Sequence, residues 1–133
     1  MPPGALRAGY LTAPDAVGSC VERWTRRWVV LDTTSLRTAP SAHDVAAGRT
    51  ADAMHPEHRY ALVRDVRDAR RCADPSLPKG AGLWVALKGR PQGLYLVADS
   101  EDDAEAWTDA LHVIAHVAAK GNLGELDRVL NQA

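Results

Sequence analysis

Short runs of alternating apolar and polar residues recur along the first two thirds of the chain. Successive side chains of a strand point to opposite faces, so this alternation predicts β-strands with one buried face. The longest run, 23–32, reads Arg-Trp-Thr-Arg-Arg-Trp-Val-Val-Leu-Asp and changes from basic to apolar. Such a strand anchors its apolar end in a core and presents arginines at the other. The pattern as a whole predicts about seven strands, at 7–12, 23–32, 35–38, 60–63, 66–72, 83–88 and 94–98.

Two stretches between these strands are predicted to be connections. Residues 13–22 contain Pro14, Asp15, Gly18 and Ser19, which are typical of a hairpin turn. Residues 39–58 are polar, without a sustained period, and are predicted to form a long loop of the kind that is often functional.

The last third of the chain changes to a helical period. Ser100 is a strong N-cap, and the acids at 101–103 complement the positive end of a helix dipole. Lys120-Gly121 is a helix-ending signal. We therefore expect a helix over 101–119, with Trp107 almost fully buried against the sheet. Its apolar stripe has spacings of three and four and consists of Ala104, Trp107, Leu111, Ile114 and Ala118.

The tail, 121–133, is predicted to form a short second helix. Asn122 can cap it, with Glu125 three residues further on, and four apolar residues would share one face. That face must be buried, either on the body of the domain or against another chain. Its residues are Leu123, Leu126, Val129 and Leu130.

Composition and charge narrow the class of protein. A length of 133 residues, with 46% apolar and 25% charged residues, predicts a single domain, 1–133. A net charge of −1 gives no overall attraction to nucleic acid. Cys20 and Cys72 lack metal-site spacing and are expected to be free thiols in a reducing compartment. Without a signal or membrane-spanning segment, we expect a cytoplasmic protein, peripheral at a membrane if membrane-bound at all.

Three motifs in order give the chain a resemblance to the pleckstrin homology (PH) domain. They are Gly9-Tyr10-Leu11, the run Trp24-Thr-Arg-Arg-Trp-Val-Val-Leu-Asp, and the final helix with its single tryptophan, Trp107. The resemblance covers about 6–119. It implies a mainly β fold, a seven-stranded antiparallel barrel or sandwich of two nearly orthogonal sheets capped by the C-terminal helix. It also implies a binding module without catalysis.

The resemblance also indicates a candidate site at the mouth of this body. Many PH domains bind phosphoinositide headgroups there, through a lysine that ends the first strand and a Lys/Arg-x-Arg pattern in the second. Those positions are Ala13, Thr25 and Arg27 here, so two of the three basic groups are missing. Arg23 shares a strand face with Arg27, and by the resemblance further cations lie at the same end. The predicted anion-binding set is therefore Arg23, Arg27, Lys88, Arg90 and Arg37.

The size of the electrostatic effect limits what this site can do. Each cation near an anionic membrane contributes about 1 kcal/mol, so four give roughly 4 kcal/mol, or about millimolar affinity. A second anchor or partner would be needed to hold the protein on a membrane. Two functions stay open: a module with weak, low-selectivity contacts to phosphoinositides or anionic membrane that acts as an adaptor, and a protein–protein interaction module without lipid binding.

Other chemistry is less well supported by the sequence. His112 and His116 are one helical turn apart with Glu105 and Asp109 nearby, which is compatible with a metal site but also with a solvated polar face. We expect the polar face, and no metal, cofactor or nucleic-acid partner. No set of nucleophile, base and orienting residue emerges, so we do not expect an enzyme.

Overall fold

A computed structural model describes residues 5–17, 20–39, 59–75 and 77–131, and only the backbone of 15–17 and 20–23. The predicted loop over 39–58 lies outside these residues from 40 onward. Within these residues, seven antiparallel strands are followed by two helices. The elements are β1 (Ala5–Val17), β2 (Cys20–Asp32), β3 (Ser35–Thr38), β4 (Arg59–Leu62), β5 (Val66–Cys72), β6 (Ala81–Leu87), β7 (Arg90–Ala98), α1 (Glu101–Ala119) and α2 (Leu123–Asn131).

The first hairpin is longer than the sequence indicates. β1 pairs with β2 from Ala5↔Asp32 to Val17↔Cys20, so the predicted connection over 13–22 is wrong. Pro14 lies inside β1, opposite Trp24. A proline is tolerated in a strand where its missing N–H has no partner strand, and β1 pairs with its other neighbour, β7, only at Leu11 and Thr12. Pairing along β2 therefore overrides the local turn signal.

The strands form one sheet in the order β4-β3-β2-β1-β7-β6-β5. Two residue pairs, Leu11↔Ala98 and Thr12↔Val97, join β1 to β7 and connect the two halves. The two predicted sheets are thus continuous, and the sheet folds over its core as a sandwich. Its end strands, β4 and β5, are not paired with each other among the described residues. The predicted fold class, mainly β with a C-terminal helix on seven antiparallel strands, is confirmed.

The core draws on both halves of the sheet and on α1. Residues alternate along the strands, so Leu11, Val29 and Leu83 are fully buried while their neighbours Tyr10, Trp28 and Trp84 are not. The apolar stripe of α1 closes the core. Its fully or almost fully buried members are Ala104, Trp107, Leu111 and Ile114.

Helix α1 begins and ends where the sequence predicts. The Oγ of Ser100 accepts a hydrogen bond from the backbone N–H of Asp103 (3.1 Å). Trp107 is only 1% exposed, and its ring lies beside Gly9, where an added Cβ would be 3.6 Å from the indole Nε1. The guanidinium of Arg7 stacks over the same ring at 5.2 Å. The predicted burial of Trp107 is confirmed.

Helix α2 folds back onto the body of the domain. Leu123 and Leu126 are half-buried against the core, and the Thr33 hydroxyl donates to the carboxylate of Asp127 (3.0 Å), which ties the helix to the β2–β3 turn. Val129 remains 60% exposed. Part of the predicted apolar face therefore packs within the chain.

Candidate functional site

The inner face of the first hairpin carries the positions where the resemblance places basic residues. Ala13 is fully buried and lies opposite Thr25, which is half-buried. Arg27 lies opposite Leu11 on the same face and is half-buried, with no solvent exposure at its Nε. Among the side chains that the structure describes on this face, Ala13 and Thr25 carry no charge and Arg27 is the cation, so they supply one positive group to a headgroup.

Two other predicted cations lie in or beside the β6–β7 turn, where both are exposed. Lys88 is in the turn itself, and its backbone N–H donates to the carbonyl of Asp65 (2.8 Å). Arg90 begins β7 and donates from Nη1 to the carbonyl of Tyr60 (3.1 Å). The turn is thereby held against β4 and the segment that follows it. Arg23 of β2 lies opposite Asp15 of β1, and the side chain of Arg23 is not among those that the structure describes.

Arg37 is placed differently from Arg27. It pairs with Val30 of β2, and alternate residues of a strand face opposite ways, so Arg37 is on the outer face of the sheet while Arg27 is on the inner face. Its guanidinium contacts the carboxylate of Asp32 at 3.3 Å. Asp32 also accepts from the backbone of Thr34 and Ser35 in the β2–β3 turn. The structure thus places Arg37 on the opposite face from Arg27, directly across from Arg59 of β4.

The structure adds one cation that the sequence analysis did not select. Arg59 opens β4, is exposed, and is next to Tyr60, the residue that Arg90 contacts. No local sequence pattern marks Arg59, which directly follows a long polar stretch. Arg90, which contacts the neighbouring Tyr60, is 30 residues away from Tyr60 in the chain. Arg59, Lys88 and Arg90 therefore share one region of the surface.

An aromatic and charged cluster occupies the outer face of the first hairpin. The rings of Tyr10 and Trp28 meet edge to face, with centroids 5.0 Å apart, and the guanidinium of Arg26 stacks on Tyr10 at 3.9 Å. Arg26 also donates from Nε and Nη2 to the carboxylate of Asp99, with a shortest distance of 2.6 Å. These hydrogen bonds raise the pKa of Arg26 and hold the pKa of Asp99 below its ordinary value, despite partial burial. The pair spans 73 residues, which put it beyond sequence reasoning.

The two histidines do not form a metal site with their predicted neighbours. The Nδ1 of His112 lies 3.1 Å from the carboxylate of Asp68 on β5. Within the described residues, no three His, Cys, Asp or Glu side chains come together as metal ligands. No helix in the described part of the chain has both the length and the apolar character to cross a membrane.

A cavity of about 250 Å³ lies away from the predicted cations, between the β5–β6 connection and the start of α1. Arg71 lines the cavity, where its guanidinium forms a salt bridge with Glu101 and donates a hydrogen bond to the carbonyl of Gly82. The half-buried thiol of Cys72 is also part of the lining. Because the charged groups on the wall are already paired with each other, the cavity carries no unbalanced charge.

The strand order, the closing helix and its buried tryptophan can be compared with solved structures. A Slm1 PH domain in complex with phosphoserine matches 86% of this chain and 99% of its own length, with a TM-score of 0.59 and 14% identity. The chain has the pleckstrin homology fold. A second Slm1 PH structure, in complex with inositol 4-phosphate, covers the same shares, with a TM-score of 0.55 and 13% identity.

A further structural match comes from a systematic screen for protein–lipid interactions in Saccharomyces cerevisiae. It covers 86% of this chain and 98% of its own, with a TM-score of 0.54 and 11% identity. No family sequence model and no curated protein sequence matches the chain. The PH fold is therefore established by the shape of the backbone, at identities too low to carry over residues.

Proposed function

We propose that this protein is a non-catalytic binding module that makes weak, low-selectivity contacts with phosphoinositides or anionic membrane and acts as an adaptor at the membrane surface. The contact residues are the cations Arg23, Arg27, Lys88 and Arg90, joined by Arg59. Neighbours with the same fold were solved with phosphoserine and with inositol 4-phosphate, which supports an anionic headgroup as the ligand class.

The contact between Arg90 and Tyr60 carries this proposal. One N–H of the guanidinium is used by the Tyr60 carbonyl at 3.1 Å, and a guanidinium has five. The remaining donors are positioned for phosphate oxygens, because the hydrogen bond fixes the orientation of the planar group. Arg59, next to Tyr60, and Lys88, two residues before Arg90, are exposed and add charge without a defined geometry.

Low selectivity follows from the inner face of the hairpin. Distinguishing headgroups of equal charge needs hydrogen-bond donors at fixed places around the ring. Ala13 and Thr25 supply no charged donor, and Ala13 is closed off from solvent. The remaining attraction depends mainly on charge, which salt screens over about 10 Å at 0.1 M.

Vesicle co-sedimentation tests the proposal. The protein is mixed with vesicles of phosphatidylcholine alone, with added phosphatidylserine, or with added phosphatidylinositol bisphosphate, at low and high salt. We expect binding to both anionic compositions at low salt, a steep loss at high salt, and no preference between phosphoinositide isomers of equal charge.

A pair of double variants identifies the contact residues. Arg27→Ala/Lys88→Ala should bind anionic vesicles roughly 25-fold more weakly, because each cation contributes about fivefold. Lys79→Ala/Lys120→Ala removes the same charge from exposed positions elsewhere, in the β5–β6 connection and at the end of α1, and should bind like the unmodified protein. Submicromolar, isomer-selective binding would contradict the proposed low selectivity, and no binding at low salt would contradict lipid contact altogether.

A protein–protein interaction module without lipid binding is the second candidate, and the outer cluster favours it. Trp, Tyr and Arg dominate the residues that carry binding energy at protein interfaces. Tyr10, Trp28 and Arg26 are held by stacking and by Asp99, so little conformational freedom would be lost on binding. Loss of a pulled-down partner on Trp28→Ala, with vesicle binding absent, would favour this function.

A further inference from the structure

Exposed cations gather at the corner where the sheet passes from β4 to β5. Arg59 lies on β4, Arg64 in the 3-10 turn Val63–Asp65, and Arg67 near the start of β5. All three side chains are exposed, and they lie beside the β6–β7 turn with Lys88 and Arg90. We call these five residues the corner patch: Arg59, Arg64, Arg67, Lys88 and Arg90.

Backbone contacts make the corner patch one surface. The N–H of Lys88 bonds to the carbonyl of Asp65, which lies between Arg64 and Arg67 in the sequence. Val66 pairs with Leu87, and this places the start of β5 directly beside the β6–β7 turn. Val63 and Val66 are buried, so this segment is anchored in the core while Arg64 and Arg67 face solvent.

Among the described residues, the acids nearest these charges in the sequence are Asp65 and Asp68. Asp65 is half-buried between the two arginines in sequence, and Asp68 contacts His112 at 3.1 Å and Arg70 at 3.9 Å. The acids are concentrated elsewhere. Residues 99–109 contain six acids and no lysine or arginine. A chain of net charge −1 thus has a cationic corner and an acidic start of α1.

We infer that the corner patch, including Arg59, Arg64 and Arg67, is the main docking surface for an anionic lipid bilayer, with the inner face of the first hairpin secondary. This inference rests on the proposed membrane contact and names the surface that makes it. The patch draws its cations from β4, the 3-10 turn, β5 and the β6–β7 turn. Such a set suits many mobile headgroups and not one bound ligand.

The charge and the side chains of the patch favour a bilayer over other polyanions. Single-stranded nucleic acid is bound by a basic groove with exposed aromatic side chains for stacking. Tyr60 of β4 is 7% exposed and cannot stack on a base. The half-buried ring of Trp84 in the β6–β7 hairpin already carries the guanidinium of Arg70, 5.1 Å from its centroid. The cavity between β5–β6 and α1 is at the far end of β5 from the patch. A bilayer needs neither a groove nor a stacking platform.

The test compares three double variants of the full chain by vesicle co-sedimentation at low salt, using phosphatidylcholine vesicles with added phosphatidylserine. Arg64→Ala/Arg67→Ala removes two cations of the patch that no earlier variant touches. Lys79→Ala/Lys120→Ala is the matched control, because it removes equal charge from exposed sites outside the patch. Arg27→Ala/Lys88→Ala completes the set. Thermal unfolding of each variant checks that the fold is retained.

We expect Arg64→Ala/Arg67→Ala to weaken vesicle binding roughly 25-fold, with a smaller dependence on salt, and the control to change it less than twofold. If the unmodified protein binds vesicles and Arg64→Ala/Arg67→Ala binds them as well as the control Lys79→Ala/Lys120→Ala does, the inference is overturned and the proposed function is left intact. Absence of vesicle binding by the unmodified protein would remove the proposed function itself. Tighter binding to polyuridylate or to polyglutamate than to vesicles, lost in Arg64→Ala/Arg67→Ala, would assign the patch to nucleic acid or to an acidic peptide and overturn the inference.

Discussion

Gly93 in β7 shows how one backbone position fixes the β6–β7 hairpin next to the candidate site. Its φ is +66°, and an added Cβ would be 2.5 Å from both the Nε1 of Trp84 and the carbonyl oxygen of Val85. The indole N–H of Trp84 donates to the carbonyl of Gln92 (2.9 Å), so the ring cannot move aside without losing that bond. Glycine is required here both by conformation and by space.

We therefore expect Gly93→Ala to lower the free energy of unfolding by more than about 2 kcal/mol, because strain and overlap add. Gly89→Ala is the control. Gly89 also has a positive φ, +79°, but an added Cβ would meet nothing within 4 Å. It should cost about 1 kcal/mol from conformation alone. Urea denaturation measures both, and equal losses would show that the contact with Trp84 is unimportant.

The pair of Arg26 and Asp99 makes stability depend on pH. The pKa of Asp99 is lowered from its ordinary value of 3.8, mainly by the hydrogen bonds from Arg26. A lowered carboxylate pKa contributes stability that is present above the ordinary value and is lost as pH falls through the folded value. We expect Asp99→Asn to be less stable than the unmodified protein at neutral pH, by about 1 kcal/mol or less for an exposed pair. The difference should vanish well below pH 3.8.

Urea denaturation at neutral and strongly acidic pH measures this difference. Asp102→Asn is a suitable control, because Asp102 is exposed in the first turn of α1. A difference between Asp99→Asn and the unmodified protein that persists unchanged in acid would show that the carboxylate charge is not its cause.

At the scale of elements, α1 closes the sandwich through one large side chain. Trp107 is 1% exposed and fills the space beside Gly9. Trp107→Ala should lower the free energy of unfolding by about 3–5 kcal/mol, as large core truncations do. Chemical denaturation followed by far-ultraviolet circular dichroism measures the change. A midpoint that hardly moves would mean that α1 does not close the core.

Elements whose signals are local could be predicted from the sequence. The Ser100 cap, the acidic first turn and the stripe through Leu111 lie within one helix, so its bounds were predicted correctly. Pro14 misled the prediction, because the register that accommodates it is set by β2, a different segment. Strand number followed from alternation, whereas the single continuous sheet depends on the short pairing of Leu11 and Thr12 with β7, which has no sequence pattern.

The candidate site was less predictable for the same reason. A motif of three positions identified Arg27, but the surroundings of the cations come from distant segments. Arg90 contacts Tyr60 across 30 residues, and Arg37 turned out to lie on the opposite face from Arg27 with Asp32 as its partner. Arg64 and Arg67 join the β6–β7 turn only through the folded backbone at Asp65.

At the scale of the whole molecule, the exposed part of α2 is the surface to test for binding between two copies of the chain. Its half-buried Leu123 and Leu126 already pack on the core, which leaves Val129 exposed. We expect sedimentation velocity to give one mass, independent of concentration. A chain ending at Lys120 should keep that mass but unfold at a lower temperature, since it exposes the core under α2. A mass that rises with concentration, and falls on truncation, would show that α2 binds a second copy.

The narrow junction of β1 with β7 has a mechanical consequence. Force applied to the two ends of the chain enters through β1 on one side and through the helices and β7 on the other. Within the described residues these strands are hydrogen-bonded directly only at Leu11↔Ala98 and Thr12↔Val97. Once the helices have been pulled away, a pull in an optical trap therefore loads this short ladder, and its rupture would separate the two halves of the sandwich while the longer β1–β2 hairpin still holds.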